Sequence, residues 1–186
     1  MKSFPIEFPL VNRQHKKPGK LILESFREIV KPSFVDYLRG GLELNLSIAI
    51  DFTGSNGMPN HPSSLHYIDP NKPNQYQNAI YAVSRILLAY DSDQRIPAFG
   101  FGGKPKYPNF TSPVVSHCFP LSGNPGDVEA YGLEHLMELY NKALMSIEFS
   151  GPTYFGPIIQ EALKIANLNA QEGSRTYQIL LILTDG

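Results

Sequence analysis

Apolar and polar residues alternate strictly at the start of the main body. Leu42, Leu44, Leu46, Ile48 and Ile50 are separated by Glu43, Asn45, Ser47 and Ala49. A period of two predicts a β-strand, and strict alternation ordinarily marks a half-exposed antiparallel strand rather than a central parallel one. The period alone does not settle the strand's place. From Gln75 the spacing becomes helical, with Tyr76, Ala79, Ile80, Val83, Ile86, Leu87 and Tyr90 on one face. Asn74 after Pro73 is the predicted N-cap, and Asp91-Ser-Asp93 ends the helix. Ile96–Phe101 reads as the next strand, with Pro97 at its start.

Gly102–Gly126 is rich in Gly, Pro, Ser and Asn and reads as a loop with one short strand around Val114–Phe119. Asp127 then caps a second helix carrying Val128, Tyr131, Leu136, Leu139, Tyr140, Leu144 and Ile147. After the turn Gly151-Pro-Thr153, a third helix places Phe155, Ile158, Ile159, Ala162, Leu163 and Ala166 on one face. Pro157 lies in its first turn, where proline is tolerated. Tyr177–Leu183 is a near-continuous apolar run, the mark of a strand buried on both faces.

Strand, helix, strand, helix, helix, strand predicts an α/β fold: a doubly wound, mostly parallel sheet flanked by helices. With no helix after its last strand, the domain reads as C-terminally truncated. Ahead of it, Lys20–Phe26 reads as one short strand. Arg27–Gly41 reads as a connector whose Phe34, Tyr37 and Leu38 pack onto the body.

A chain of 186 residues accommodates one domain with a real core and a little besides. At 42% hydrophobic and 18% charged it reads as an ordinary soluble globular protein. A net charge of −1 gives no electrostatic reason to expect a nucleic-acid partner. The basic run His15-Lys-Lys-Pro-Gly-Lys20 is short and reads as a solvated loop. The single cysteine, Cys118, excludes a disulfide framework and a thiol metal site, which fits a reducing, cytosolic setting. No apolar run has the form of a signal peptide or the length of a membrane span.

The strand ending at Ile50 runs into Asp51-Phe-Thr-Gly-Ser-Asn56, a carboxylate and two hydroxyls at i, i+2 and i+4. In open α/β sheets ligands collect beyond the carboxyl ends of strands. Asp185 follows the last strand, and Thr153 lies in the loop that opens the third helix. If the two strands are neighbours, Asp51, Thr53, Ser55, Thr153 and Asp185 converge as an oxygen-only donor set suited to Mg²⁺ or Mn²⁺. The bland alternative is a turn, since Asp, Thr, Gly, Ser and Asn all form turns.

Other chemistries fit less well. Asp51-Phe-Thr-Gly is broken by Phe52 as an aspartic-protease tripeptide and has no second copy. Phe99-Gly-Phe-Gly-Gly-Lys104 lacks phosphate-loop spacing because Pro105 follows the lysine. A Mg²⁺-dependent phosphohydrolase or transferase, with Asp51 as nucleophile, needs a second Asp where Thr53 stands. It also needs a titratable general base, and none lies near these motifs. The chain therefore reads as a binding module and not an enzyme, with the hydrolase as the alternative. His15, His61, His66, His117 and His135 show no ligand spacing and read as surface or loop residues. Asp91 and Asp93 read as solvated helix-end charges.

The donor set resembles the metal-ion-dependent adhesion site of von Willebrand factor A domains: D-x-S-x-S, a distant Thr and a distant Asp. Thr53 replaces the first Ser and keeps the hydroxyl. Asp51-Phe-Thr-Gly-Ser-Asn-Gly57, Ser64-Leu-His-Tyr-Ile68, Pro73-Asn-Gln-Tyr76, Tyr90-Asp-Ser-Asp93, Pro97-Ala-Phe-Gly-Phe-Gly102, Gly151-Pro-Thr153, Pro157-Ile-Ile-Gln160 and Ile179-Leu-Leu-Ile-Leu-Thr-Asp-Gly186 together resemble the A domain of copines. The resemblance runs from about Arg39 to the end. It implies a von Willebrand factor A-like, Rossmann-type domain over residues 42–186, a linker over 29–41, and over 1–28 the remnant of a preceding C2 domain with its last strand at 20–26. It further implies calcium-dependent phospholipid binding through C2 domains whose Ca²⁺ loops are not in this chain. Target proteins are then engaged by the A-domain metal site, and a cytoplasmic protein moves to the plasma membrane when calcium rises. A copine-like RING ubiquitin ligase is the alternative within the resemblance. The Ser64–Ile68 and Tyr76–Ile80 wording favours the lipid-binding copines.

Overall fold

The computed structural model describes residues 4–10 and 19–186, so His15, Lys16 and Lys17 of the basic run lie outside the described residues. The chain divides into two units, Met1–Asp36 and Tyr37–Gly186. In the first, β1 (Ile6–Pro9) pairs antiparallel with β2 (Lys20–Leu23), Ile6 opposite Leu23 and Pro9 opposite Lys20. Lys20 reaches Glu7 across the pair at 2.8 Å. The sequence predicts one strand over Lys20–Phe26, whereas two are present and the second ends at Leu23. Four residues at Ile6–Pro9 are too few for their alternation to register as a period. Residues Phe34–Arg39 form α1, opened by a reciprocal cap in which Ser33 Oγ accepts from Asp36 N and Asp36 Oδ2 accepts from Ser33 N. Tyr37 is exposed, in contrast to the expected packing, and Leu38 is half-buried.

The body is built on β3 (Glu43–Asp51), which lies between β10 (Thr176–Leu183) and β4 (Arg95–Phe101), parallel to both. Thr176 stands opposite Glu43 and Leu183 opposite Ile50; Ile48 stands opposite Ala98 and Asp51 opposite Phe101. The far edge of β4 is shared by two antiparallel strands, β7 (Phe119–Pro120) and β8 (Glu129–Tyr131). The fold is α/β, but its sheet is mixed.

Alternation in β3 signals a half-exposed antiparallel strand, and the strand is instead central and parallel on both sides. Its apolar set, Leu46, Ile48 and Ile50, joins one core with Tyr76 and Ile80 of α2 (Gln75–Leu87) and Leu136, Leu139 and Tyr140 of α3 (Gly132–Ser146). On the other face Ala49, Phe99 and Phe101 pack with Ile158 of α4 (Gly156–Gln171). Ser47 and the Asn45 backbone find partners inside the protein, whereas Asn45 Oδ1 has none among the described residues. Gln178 Nε2 donates to Ser47 Oγ at 3.0 Å and to Asn45 O at 3.2 Å, while Asn169 Nδ2 donates to Gln178 Oε1 at 3.2 Å. A period of two therefore marks here which residues meet the large core, with no face left to water.

The Asn74 N-cap predicted for α2 is present as a full capping box: Asn74 Oδ1 accepts from Gln77 N, and Gln77 Oε1 accepts from Asn74 N, both at 2.8 Å. Ile86 and Tyr90, placed on the buried face by periodicity, are exposed, as are Ile159 and Leu163 of α4. Asp127 does not cap α3. Glu129–Tyr131 is drawn out as β8 against β4, and the helix starts at Gly132, whose φ of +74° breaks the backbone between them. Ile147 leaves the helix for β9 (Ile147–Phe149).

The segment read as loop holds a hairpin, β5 (Gly103–Tyr107) and β6 (Phe110–Thr111), and β9 completes a three-stranded sheet in the order β6–β5–β9. Proline and two lysines hide this strand from a hydrophobicity pattern. Lys104 and Lys106 both pair with Glu148 on β9, and their hydrogen bonds hold its carboxyl down at about 2. The strand expected at Val114–Phe119 is reduced to Phe119–Pro120.

β10 is a strand as predicted, but its side chains are at most partly buried, since among the described residues it has a paired neighbour on one side alone. Asp91 departs furthest from expectation. It is 5% exposed, neither carboxyl oxygen has a partner among the described residues, and burial followed by the nearby charge of Asp93 raises its pKa to about 6. A carboxyl whose folded pKa is raised binds protons better folded than unfolded, so its contribution falls as pH rises from about 4 through 6 and stays unfavourable above. Asp91→Asn should therefore raise the melting temperature at pH 7, and thermal melts at pH 4 should show that gain gone.

Candidate metal site at the carboxyl end of the sheet

Pairing β3 with β10 settles the condition set by the sequence: Asp51 and Asp185 leave neighbouring parallel strands at the same end. The Asp51 side chain has no exposed surface. Its Oδ1 accepts from Thr53 N at 2.8 Å and from Thr53 Oγ1 at 2.6 Å. Its Oδ2 accepts from Thr184 Oγ1 at 2.7 Å. Thr53 Oγ1 lies 3.1 Å from Ser55 Oγ, and Ser55 Oγ donates to Asp185 Oδ1 at 3.2 Å. Four of the five predicted donors thus form one unbroken chain of contacts. Among the described residues no hydrogen bond joins Thr153 to them. Its loop is nonetheless tied to theirs three residues upstream, where Ser150 bridges Thr53, donating through N to Phe52 O at 3.2 Å and accepting at O from Gly54 N.

Local sequence explains how the loop is held. A Cβ on Gly102, whose φ is +75°, would meet Thr53 Cγ2 at 2.3 Å, so only glycine lets the turn after β4 pass beneath Thr53. The segment Ser64–His66 is stapled to the loop from the other side. Ser64 Oγ donates to the carbonyls of Asn56 and Gly57 at 3.1 and 2.9 Å, and Leu65 N donates to Asn56 O at 3.0 Å. Asn56 donates to Thr53 Oγ1 at 3.2 Å and accepts from Tyr76 OH at 2.6 Å.

His66 is read from sequence as a surface or loop residue, and it is fully buried. The pattern fails because a lone histidine in a loop segment carries no periodic signal. Its ring stacks on Tyr76 at 3.9 Å and more distantly on Phe52 at 5.5 Å, with the edge of Phe149 at 5.1 Å. Nε2 is 2.8 Å from Asp51 O, and Nδ1 is 2.8 Å from Tyr140 OH. Burial pulls its pKa down to about 4, although the Asp51 carbonyl and the charge of Asp185 favour the protonated form. Burial, and then the negative charges of Asp51 and Asp185, push the Tyr76 hydroxyl far up, so it remains a donor. Sequence reasoning also missed Thr184, although it adjoins Asp185.

The donor chemistry fits a hard divalent cation. All the candidates are oxygens, two are carboxylates, and nitrogen and sulfur are absent from the set. Among the described residues no three His, Cys, Asp or Glu side chains are grouped to hold a metal, so such an ion would depend on the hydroxyls of Thr53 and Ser55. Among the described residues no helix is long and apolar enough to cross a membrane.

The family model for Copine matches residues 64–186. Protein BONZAI 1 of Arabidopsis thaliana is 48% identical over 169 residues, covering 90% of this chain and 28% of the relative. Protein BONZAI 2 of the same plant is 46% identical over the same shares. Copine-E of Dictyostelium discoideum is 42% identical over 186 residues, covering 97% of this chain and 31% of the relative. The chain thus spans about three tenths of the curated relatives it matches.

The Tyr76 hydroxyl is the partner given to the buried Asn56 oxygen. Tyr76→Phe should cost about 1–3 kcal/mol, the range for a buried acceptor left unpaired, read as a lower urea midpoint at unchanged slope.

Proposed function

The chain belongs to the copine family, and we propose that residues 42–186 are a von Willebrand factor A-like module that binds partner proteins through a divalent metal. The observation that carries this reading is the contact chain Asp51–Thr53–Ser55–Asp185, drawn from two parallel strand ends. Thr53, Ser55 and Thr153 would hold Mg²⁺ or Mn²⁺, with Asp51 and Asp185 assisting directly or through water. The bound ion supplies a Lewis-acidic centre able to take a carboxylate from a partner protein. Two carboxylates and three hydroxyls balance a divalent charge without exceeding it, which leaves the centre receptive to one more anion. Asp51 fixes the turn, and the exposed Ser55 lies at its open side.

A binding role is favoured over hydrolysis by the state of His66. Both ring nitrogens of this buried histidine are engaged, by Asp51 O and by Tyr140 OH, so it is not free to act as a general base. For the whole protein we propose calcium-dependent phospholipid binding through C2 domains outside this chain, the β1–β2 hairpin being the tail of one. Recruitment from the cytoplasm to anionic plasma-membrane lipid when calcium rises follows from that arrangement.

Calorimetric titration with Mn²⁺ tests the metal reading. Asp51→Ala should weaken binding by about tenfold or more, the equivalent of about 1.4 kcal/mol; equal affinity in the two proteins would sink the site. Liposome co-sedimentation tests the division of labour. The whole protein should pellet with anionic vesicles in calcium and not in chelator, whereas residues 1–186 should not respond to calcium. Calcium-dependent pelleting of residues 1–186 would place lipid binding in the A domain.

A further inference from the structure

Beneath the loop of Asp51, Thr53 and Ser55 lies a ring to which neither the donor motif nor the family comparison gives a part. We propose that His66 is the positioning residue of this loop, carrying a proton on Nε2 and none on Nδ1, and that it ties the loop to helices α2 and α3. The consequence for metal affinity rests on the reading given above; the positioning of the loop does not.

The hydrogen bonds fix the tautomer. A backbone carbonyl can only accept, so Nε2, 2.8 Å from Asp51 O, must carry its proton and donate it. A neutral ring then has a bare Nδ1, which accepts the Tyr140 hydroxyl proton at 2.8 Å. The other acceptor near that hydroxyl, Asn74 Oδ1, is farther away at 3.3 Å and already receives Gln77 N at 2.8 Å. Reversing the ring would set carbon against both partners. The Tyr76 face at 3.9 Å and the Phe149 edge at 5.1 Å confine it.

Two struts therefore run to the loop, one from α3 and one from the first turn of α2. One passes from Tyr140 of α3 through His66 to the Asp51 carbonyl. The other passes from Tyr76 through Asn56 to Thr53 Oγ1 and Thr53 O. They meet where Tyr76 stacks on His66. The strand end that presents the carboxylate is thus tied to α3 and the hydroxyl two residues later to α2, with His66 in contact with both tyrosines.

The test uses the whole protein with His66→Phe, which keeps an aromatic ring and loses both hydrogen bonds, and His66→Gln, whose amide can again donate toward the Asp51 carbonyl. Deuterium exchange over residues 51–56 should rise markedly in His66→Phe and return toward wild type in His66→Gln. Mn²⁺ affinity should fall about tenfold or more and recover in the same order, whereas a purely packing role would show no recovery with Gln. In wild type, histidine-selective ¹⁵N spectra should show the proton on Nε2. Wild-type exchange in folded His66→Phe, or a proton on Nδ1 alone, would overturn the proposal. Should wild type take no Mn²⁺, the metal reading fails while exchange and tautomer still decide the positioning. Should His66→Phe not fold, exchange in His66→Gln and the wild-type tautomer decide it.

Discussion

A carboxylate removed from water at the end of the central strand is the constraint around which this end of the protein is organised. An ionised group in that position is costly unless hydrogen bonds replace its hydration. Asp51 obtains three, from the Thr53 amide and hydroxyl and from the Thr184 hydroxyl. Those donors dictate much of what surrounds them. Thr53 must turn back over the strand end, which needs a glycine at position 102 beneath it. Thr184 must leave β10 beside Asp51, which needs β10 parallel to β3 and in the register that sets Leu183 opposite Ile50. The sheet order and the loop conformation are two consequences of satisfying one side chain.

The same hydrogen bonds dispose the remaining oxygens. Once Thr53 Oγ1 is pinned to Asp51, Ser55 two residues on falls within reach of both Thr53 and Asp185. Donors arranged in advance by protein–protein hydrogen bonds need little reordering when a ligand arrives, which is how pre-organisation raises affinity. At the opposite end of β3, Ser92 donates to Glu43 while the neighbouring Asp91 carboxyl stays buried without a partner among the described residues. Stability is thus given up at the amino end of the sheet, and satisfaction of polar groups is concentrated at the carboxyl end.

Much of this was legible in the residues. Asn74 declares its capping box, Pro157 marks a first helical turn, and the apolar run before Thr184 declares a strand. The cluster of oxygens at this strand end was visible because Asp51, Thr53 and Ser55 are close in sequence and Asp185 ends a strand. What escaped depends on contacts distant in the chain. β5 is held by Lys104 and Lys106 on Glu148 rather than by an apolar pattern. Helix α3 begins five residues after Asp127 because β4 claims Glu129–Tyr131 as an edge partner. The central place of β3 was masked because Gln178 on β10 satisfies Ser47 and the Asn45 carbonyl from within. His66 has meaning only through Asp51, Tyr76 and Tyr140, none adjacent to it in the chain.

The central claim, that this strand end receives a divalent ion, is tested most directly by anomalous diffraction at the manganese edge from crystals of the protein grown with Mn²⁺. The account predicts a single strong peak at the carboxyl end of β3, within about 2.2 Å of the Ser55 and Thr53 hydroxyls, a little beyond the Mg²⁺–oxygen distance. Crystals with Mn²⁺ at other positions and no anomalous density at this strand end would contradict it.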